Sequence, residues 1–109
     1  MASWILSSGM RLSFVVAMKS HLGILAIVRS IVQRRCIKGI ATTQAEAFSR
    51  VRENPPGLLI CSDQLAEGDG FCLCRRSLQA VLDLRVLMVL TGDGTEAARA
   101  LESGAMAVV

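Results

Sequence analysis

Apolar residues along this chain change period several times, and each change marks a boundary between elements. Residues 13–18, SFVVAM, form a short β-branched run, and from His21 the stretch LGILAIVRSIVQRR sets apolar positions at helical spacing, which predicts a strand and then a helix. Residues 36–41 read as a second strand. Thr42 or Thr43 follows at an N-cap position, with Glu46 three residues past Thr43 in capping-box spacing. A helix is therefore expected over 44–53, burying Ala45, Phe48 and Val51 or Ala47 on one side, and Asn54-Pro55-Pro56-Gly57 stops it.

The unbroken apolar run 58–62 predicts a third strand that delivers Ser62 and Asp63 to its carboxyl end, before a turn through Gly68-Asp69-Gly70. Residues 70–81 carry Leu73, Leu78 and Val81 on one helical face and Arg75, Arg76 and Gln79 on the other. Residues 85–90 repeat the strand design and end in Thr91 and a second Gly-Asp-Gly, 92–94. A helix over 95–103 is closed by Gly104, and a fifth strand starts at Met106. Four βα units plus a strand imply an α/β fold: a doubly wound parallel sheet with right-handed crossovers and helices on both faces. Open sheets of this kind place their sites at the carboxyl ends of the strands, where Ser62, Asp63 and Thr91 stand.

Composition narrows the class. The 109 residues allow one domain; 52% are hydrophobic, mean hydropathy is +0.50 and only 4% are aromatic, so the core must be aliphatic. The best candidate for a membrane span, 13–28, is interrupted by Lys19, Ser20 and His21, which argues against a transmembrane helix. Residues 1–10 carry no early positive charge, and the apolar core at 4–6 is too short for a signal peptide, so residues 1–12 are expected to be a loosely attached leader ahead of a domain over 13–109. Cys36, Cys61, Cys72 and Cys74 show neither a disulfide framework nor CxxC spacing, which predicts free thiols in a reduced, cytoplasmic protein. The net charge of +3 is modest, and its densest cluster, 33–38, fits a helix terminus better than a nucleic-acid patch.

Few motifs carry chemistry. Neither Gly-Asp-Gly segment matches GxGxxG or the P-loop, so these are read as turn glycines, with Asp69 and Asp93 as turn or N-cap residues. His21 is the only histidine, and no nucleophile elbow such as GxSxG accompanies it, so hydrolase chemistry has little support and His21 reads as a polar residue at a helix start. What remains is the hydroxyl of Thr91 beside the Ser62-Asp63 tip. The plainer alternative is that Asp63 opens a solvated loop and Thr91 caps the next helix.

Over 13–109 the chain resembles the receiver domain of response regulators in two-component phosphorelay signalling. The resemblance rests on the third strand through Gly70, on Leu90-Thr91-Gly92-Asp93, on Glu102-Ser103-Gly104-Ala105 before the fifth strand, and on ATTQAEAFSRV at 41–51. It implies a flavodoxin-like sheet of order 2-1-3-4-5, here lacking the last helix and truncated within or just after strand five. It also implies a strand-three aspartate that accepts a phosphoryl group, an acidic pair after strand one that holds Mg²⁺, a strand-four hydroxyl at the phosphate and a strand-five lysine. Thr91 matches the hydroxyl and Gly70 the glycine closing the loop. Counting back eight residues from Gly70 reaches Ser62, so Asp63, the phosphoacceptor candidate, stands one place late and needs a loop shortened by one. Ala66 and Glu67 stand where the family usually has proline and glycine. Met18 and Lys19 replace the acidic pair, and Lys19 would repel Mg²⁺ while offering Asp63 a cation.

The expectation is therefore an atypical, pseudo-receiver-like signalling domain that acts through protein contacts. Lys19, Ser62, Asp63 and Thr91 would form a fixed cluster, without a cofactor. The alternatives are a conventional Mg²⁺-dependent receiver phosphorylated on Asp63, and a doubly wound enzyme fragment binding a small anion. The expected partner is a sensor kinase or an output protein, with nucleic acid reached only through an output domain outside this chain, no membrane, and a possible homodimer.

Overall fold

The structure, a computed structural model, describes residues 13–30, 37–91 and 95–108. Its elements are β1 (Phe14–Ala17), α1 (His21–Ser30), β2 (Ile37–Ala41), α2 (Gln44–Glu53), β3 (Leu58–Ser62), α3 (Gly70–Ala80), β4 (Arg85–Val89), α4 (Ala97–Glu102) and β5 (Ala107–Val108). The strands pair in parallel in the order β2-β1-β3-β4-β5. The alternation of strand and helix read from the sequence is thus the observed one. The leader 1–12, the expected helix extension past Ser30, residues 33–36 of the basic cluster, the second Gly-Asp-Gly loop with Asp93, and Val109 lie outside the described residues, whereas Ile37 and Lys38 of that cluster open β2.

β3 sits at the centre of the sheet, and all five of its residues are buried. That explains its unbroken apolar run, since a central parallel strand is covered on both faces. Val15, Ala17, Leu59, Cys61, Val86 and Met88 point to the side of α2 and α3, where they meet Ala47, Val51, Phe71, Leu73 and Cys74. Phe14, Leu58 and Ile60 point the other way, as does Val16, which packs with Met18 and Ile24 of α1. Full burial of a side chain such as Leu59 contributes about 1.5–3 kcal/mol.

Local signals set the helix starts. Thr43 Oγ1 accepts from the Glu46 N–H at 3.2 Å, and an Asp69 carboxylate oxygen accepts from the Cys72 N–H at 2.7 Å, so both are N-caps. One expectation is corrected: Ala45 is exposed, and the inward stripe of α2 is Ala47 and Val51, with Phe48 half-buried beside it. The cause is helical phase, because residues four apart share a face whereas Ala45 lies about 200° around the axis from Ala47. α4 is also shorter than expected. Thr95 and Glu96 form a turn ahead of it, and Glu96, at the N-cap, makes no side-chain cap hydrogen bond.

Candidate functional site at the carboxyl ends of β3 and β4

The parallel register pairs Ser62 with Val89, and Asp63 extends the ladder by one bond, its N–H donating to the Val89 carbonyl at 3.2 Å. The chain then leaves the sheet. Gly70 at the start of α3 returns to the same point, donating its N–H to the Asp63 carbonyl at 2.9 Å. A Cβ on Gly70 would lie 1.8 Å from the Ser62 carbonyl oxygen, so only glycine permits this approach. The six-residue loop between Asp63 and Gly70 is thereby closed.

Asp63 is 7% exposed and gathers the polar groups of both strand tips onto one atom. Its Oδ1 accepts from the Thr91 N–H at 3.1 Å, the Thr91 hydroxyl at 3.0 Å and the Ser62 hydroxyl at 3.2 Å. Ser62 Oγ in turn accepts from the Gln64 N–H at 3.4 Å. Strict alternation would separate Ser62 and Asp63 across the sheet. At the strand end the backbone departs from the ladder, so the two side chains meet. Thr91 spends its N–H and hydroxyl on Asp63 rather than on a cap for α4, and Asp63 is buried rather than solvated. The plainer reading of both residues therefore does not describe them.

A second loop holds this one in shape. The Ala66 N–H donates to the Thr42 carbonyl and the Gln44 N–H to the Glu67 carbonyl, both at 2.8 Å. The Gln44 side chain accepts from the Asp69 N–H at 3.2 Å and donates to Cys72 Sγ at 3.2 Å. Gly68, at φ 90°, leaves the space that this amide occupies. Sequence reasoning missed Gln44, since its bonds join residues 25 and 28 positions away and no local pattern marks them.

The tip of β1 differs. Its pairing with β3 ends at Ala17 with Cys61, and Met18 and Lys19 follow as the chain leaves the strand. Met18 is buried, with its thioether folded against Gly23, whereas Lys19 is exposed. Among the described residues no ion pair or hydrogen bond joins Lys19 to Asp63, so the expected cluster of four consists of three. These residues do not fit Mg²⁺. One carboxylate whose Oδ1 already serves three donors is not a hard-cation donor set, and among the described residues no three His, Cys, Asp or Glu side chains gather to hold a metal. The nearby thiols are structural as well: burial pushes Cys61 up, with Cys74 and Asp63 adding to it, and pushes Cys74 up to about 11 against a smaller opposing effect of Arg75.

A five-stranded doubly wound domain whose polar groups converge at two adjacent strand tips has a recognisable class, and comparison makes it specific. The fold is that of response-regulator receiver domains. It is similar to RcsB from Salmonella enterica serovar Typhimurium, solved bound to promoter rprA with a phosphomimetic (TM-score 0.79, 13% identity, 92% of this chain and 59% of that one). It is similar also to the receiver domain of NarL from Mycobacterium tuberculosis (0.78, 21%, 89% and 81%) and to a CheY-like receiver domain protein from Methanospirillum hungatei JF-1 (0.73, 19%, 90% and 80%). The chain thus spans little more than half of the RcsB chain. No family model matches the sequence, and no curated protein is significantly similar to it. No helix among the described residues is long and apolar enough to cross a membrane.

Proposed function

We propose that this chain is a receiver-like signalling domain that works through regulated contacts with a protein partner, a sensor kinase or an output protein, without metal-dependent phosphorylation of Asp63. The observation that carries this reading is the state of Asp63 itself. Attack on phosphorus by a carboxylate needs a cation to offset two anions, yet Met18 and Lys19 occupy the place where the resemblance implies acids. The three donors on Oδ1 instead suit a carboxylate that ties the β3 and β4 tips together. Lys19 adds a tethered positive charge that disfavours a divalent cation. The reading places the domain in the cytoplasm and assigns it no catalysis of its own.

A ¹⁵N–¹H correlation spectrum with and without Mg²⁺ and beryllofluoride tests this. The expected result is a dispersed spectrum in which Asp63, Thr91 and Lys19 do not respond. Localised shifts at Thr91 and along α4 would restore the conventional reading, in which Asp63 accepts phosphate and Thr91 follows it. Contact between the Thr91 hydroxyl and Asp63 is the one observation that favours that second reading.

A further inference from the structure

Outside the strand tips, the most organised group of charges lies on the solvent side of α2 and α3. Phe48 is half-buried against the core, and its ring carries two guanidinium groups: Arg76 of α3 at 4.3 Å from the ring centre and Arg52 of α2 at 5.6 Å. Among the described residues neither arginine has a carboxylate within ion-pairing distance. A guanidinium stacked on an aromatic ring is weakly hydrated and keeps its N–H fork free in its own plane, so it is already oriented for a bidentate carboxylate. Beside the ring, Ala45, Phe48, Ser49, Arg52 and Glu53 line a shallow depression along the helix. These positions repeat at three- and four-residue intervals, the stripe that a second helix would follow.

Resting on the reading that this domain works through protein contacts, we infer that the Arg52–Phe48–Arg76 face is a docking surface for an acidic amphipathic helix of the partner. Its carboxylates, spaced one helical turn apart at about 5–6 Å, would pair with the two arginines while an apolar side chain lies against Phe48. Charge complementarity selects this occupant over nucleic acid. Glu53 lines the same depression, held by the Ser49 hydroxyl at 3.0 Å, and Glu46 is exposed in the first turn of α2. A continuous polyanion would press its charges onto those carboxylates, whereas a discrete pair of acids avoids them.

The test is titration of the ¹⁵N-labelled full chain with a synthetic peptide of about fourteen residues, four helical turns, carrying leucine and glutamate at helical spacing. Controls are the same peptide with lysine for glutamate and a DNA duplex. The expected result is amide shifts at Ala45, Phe48, Ser49, Arg52 and Arg76, weakening as salt rises. Binding by Arg52→Glu/Arg76→Glu should fall by roughly tenfold or more, and Arg52→Lys/Arg76→Lys, which keeps the charge but loses the fork, should fall in between. Both variants change exposed side chains, and the dispersion of their spectra checks the fold. Equal binding of the lysine peptide, undiminished binding by the glutamate variant, or binding of the duplex alone would overturn the inference. A response of Thr91 to Mg²⁺ and beryllofluoride would sink the phosphate-independent reading and leave this face standing. A silent Thr91 with no peptide shift would sink the face alone.

Discussion

The two strand tips that flank the candidate site are built in opposite ways. At β3 the loop to α3 is fastened at both ends by Asp63 and Gly70 and along its length by Thr42 and Gln44. At β1 the loop to α1 is held by the Met18 N–H on the Ala41 carbonyl and by Ser20, which accepts from the Leu22 and Ile24 N–H groups, and Lys19 stands free of it in solvent. One tip is a preorganised polar constellation, and the other ends in a thioether and an ammonium that no ion pair holds among the described residues. The difference teaches that neighbouring strand tips of one sheet can differ wholly in what they gather, so the fold and its chemistry have to be argued separately.

Substitutions should break that contrast in a definite order. Gly70→Ala forces a methyl into the Ser62 carbonyl and should cost about 3 kcal/mol in denaturant unfolding. Asp63→Ala leaves the Thr91 N–H and two hydroxyls without their acceptor; a loss of about 2 kcal/mol is expected, with faster hydrogen exchange at Thr91. Gln44→Ala removes two bonds from the fastened loop and should cost about 1 kcal/mol, with exchange speeding up at Asp69. Lys19→Ala should change stability by less than about 0.5 kcal/mol, because nothing in the β1 loop depends on its charge.

A pH titration sharpens the same comparison. Cys61 and Cys74 belong to the fastened half, and both thiols are pushed above their ordinary value of 9.0, Cys74 to about 11. Above pH 9 the unfolded chain releases protons that the folded chain retains. Stability should be level below pH 9 with respect to these groups and fall as pH rises toward 11. Thermal unfolding across that range checks the sign, and Cys74→Ala should flatten the decline.

Much of the fold was legible in the sequence because its determinants are local. The β3 run, the caps at Thr43 and Asp69 and the stop at Asn54-Pro55-Pro56-Gly57 each act within a few residues of themselves. The phase error at Ala45 came from an alanine that suits either face of a helix. At the site, the meeting of Ser62, Asp63 and Thr91 followed from the order of strand tips, but the isolation of Lys19 and the part played by Gln44 did not. Both depend on how two loops far apart in sequence settle against each other, which no single stretch encodes.

The position of β3 has a further consequence, for where along the chain the sheet draws its strands. β1 and β2 are made first, but two strands alone are marginal in water. β3 then pairs with β1 on one side and β4 on the other, and the Gly57 and Leu58 N–H groups both donate to the Ser13 carbonyl. The third strand that makes β1 an interior strand is therefore supplied by residues 58–62, from the middle of the chain and not from either end.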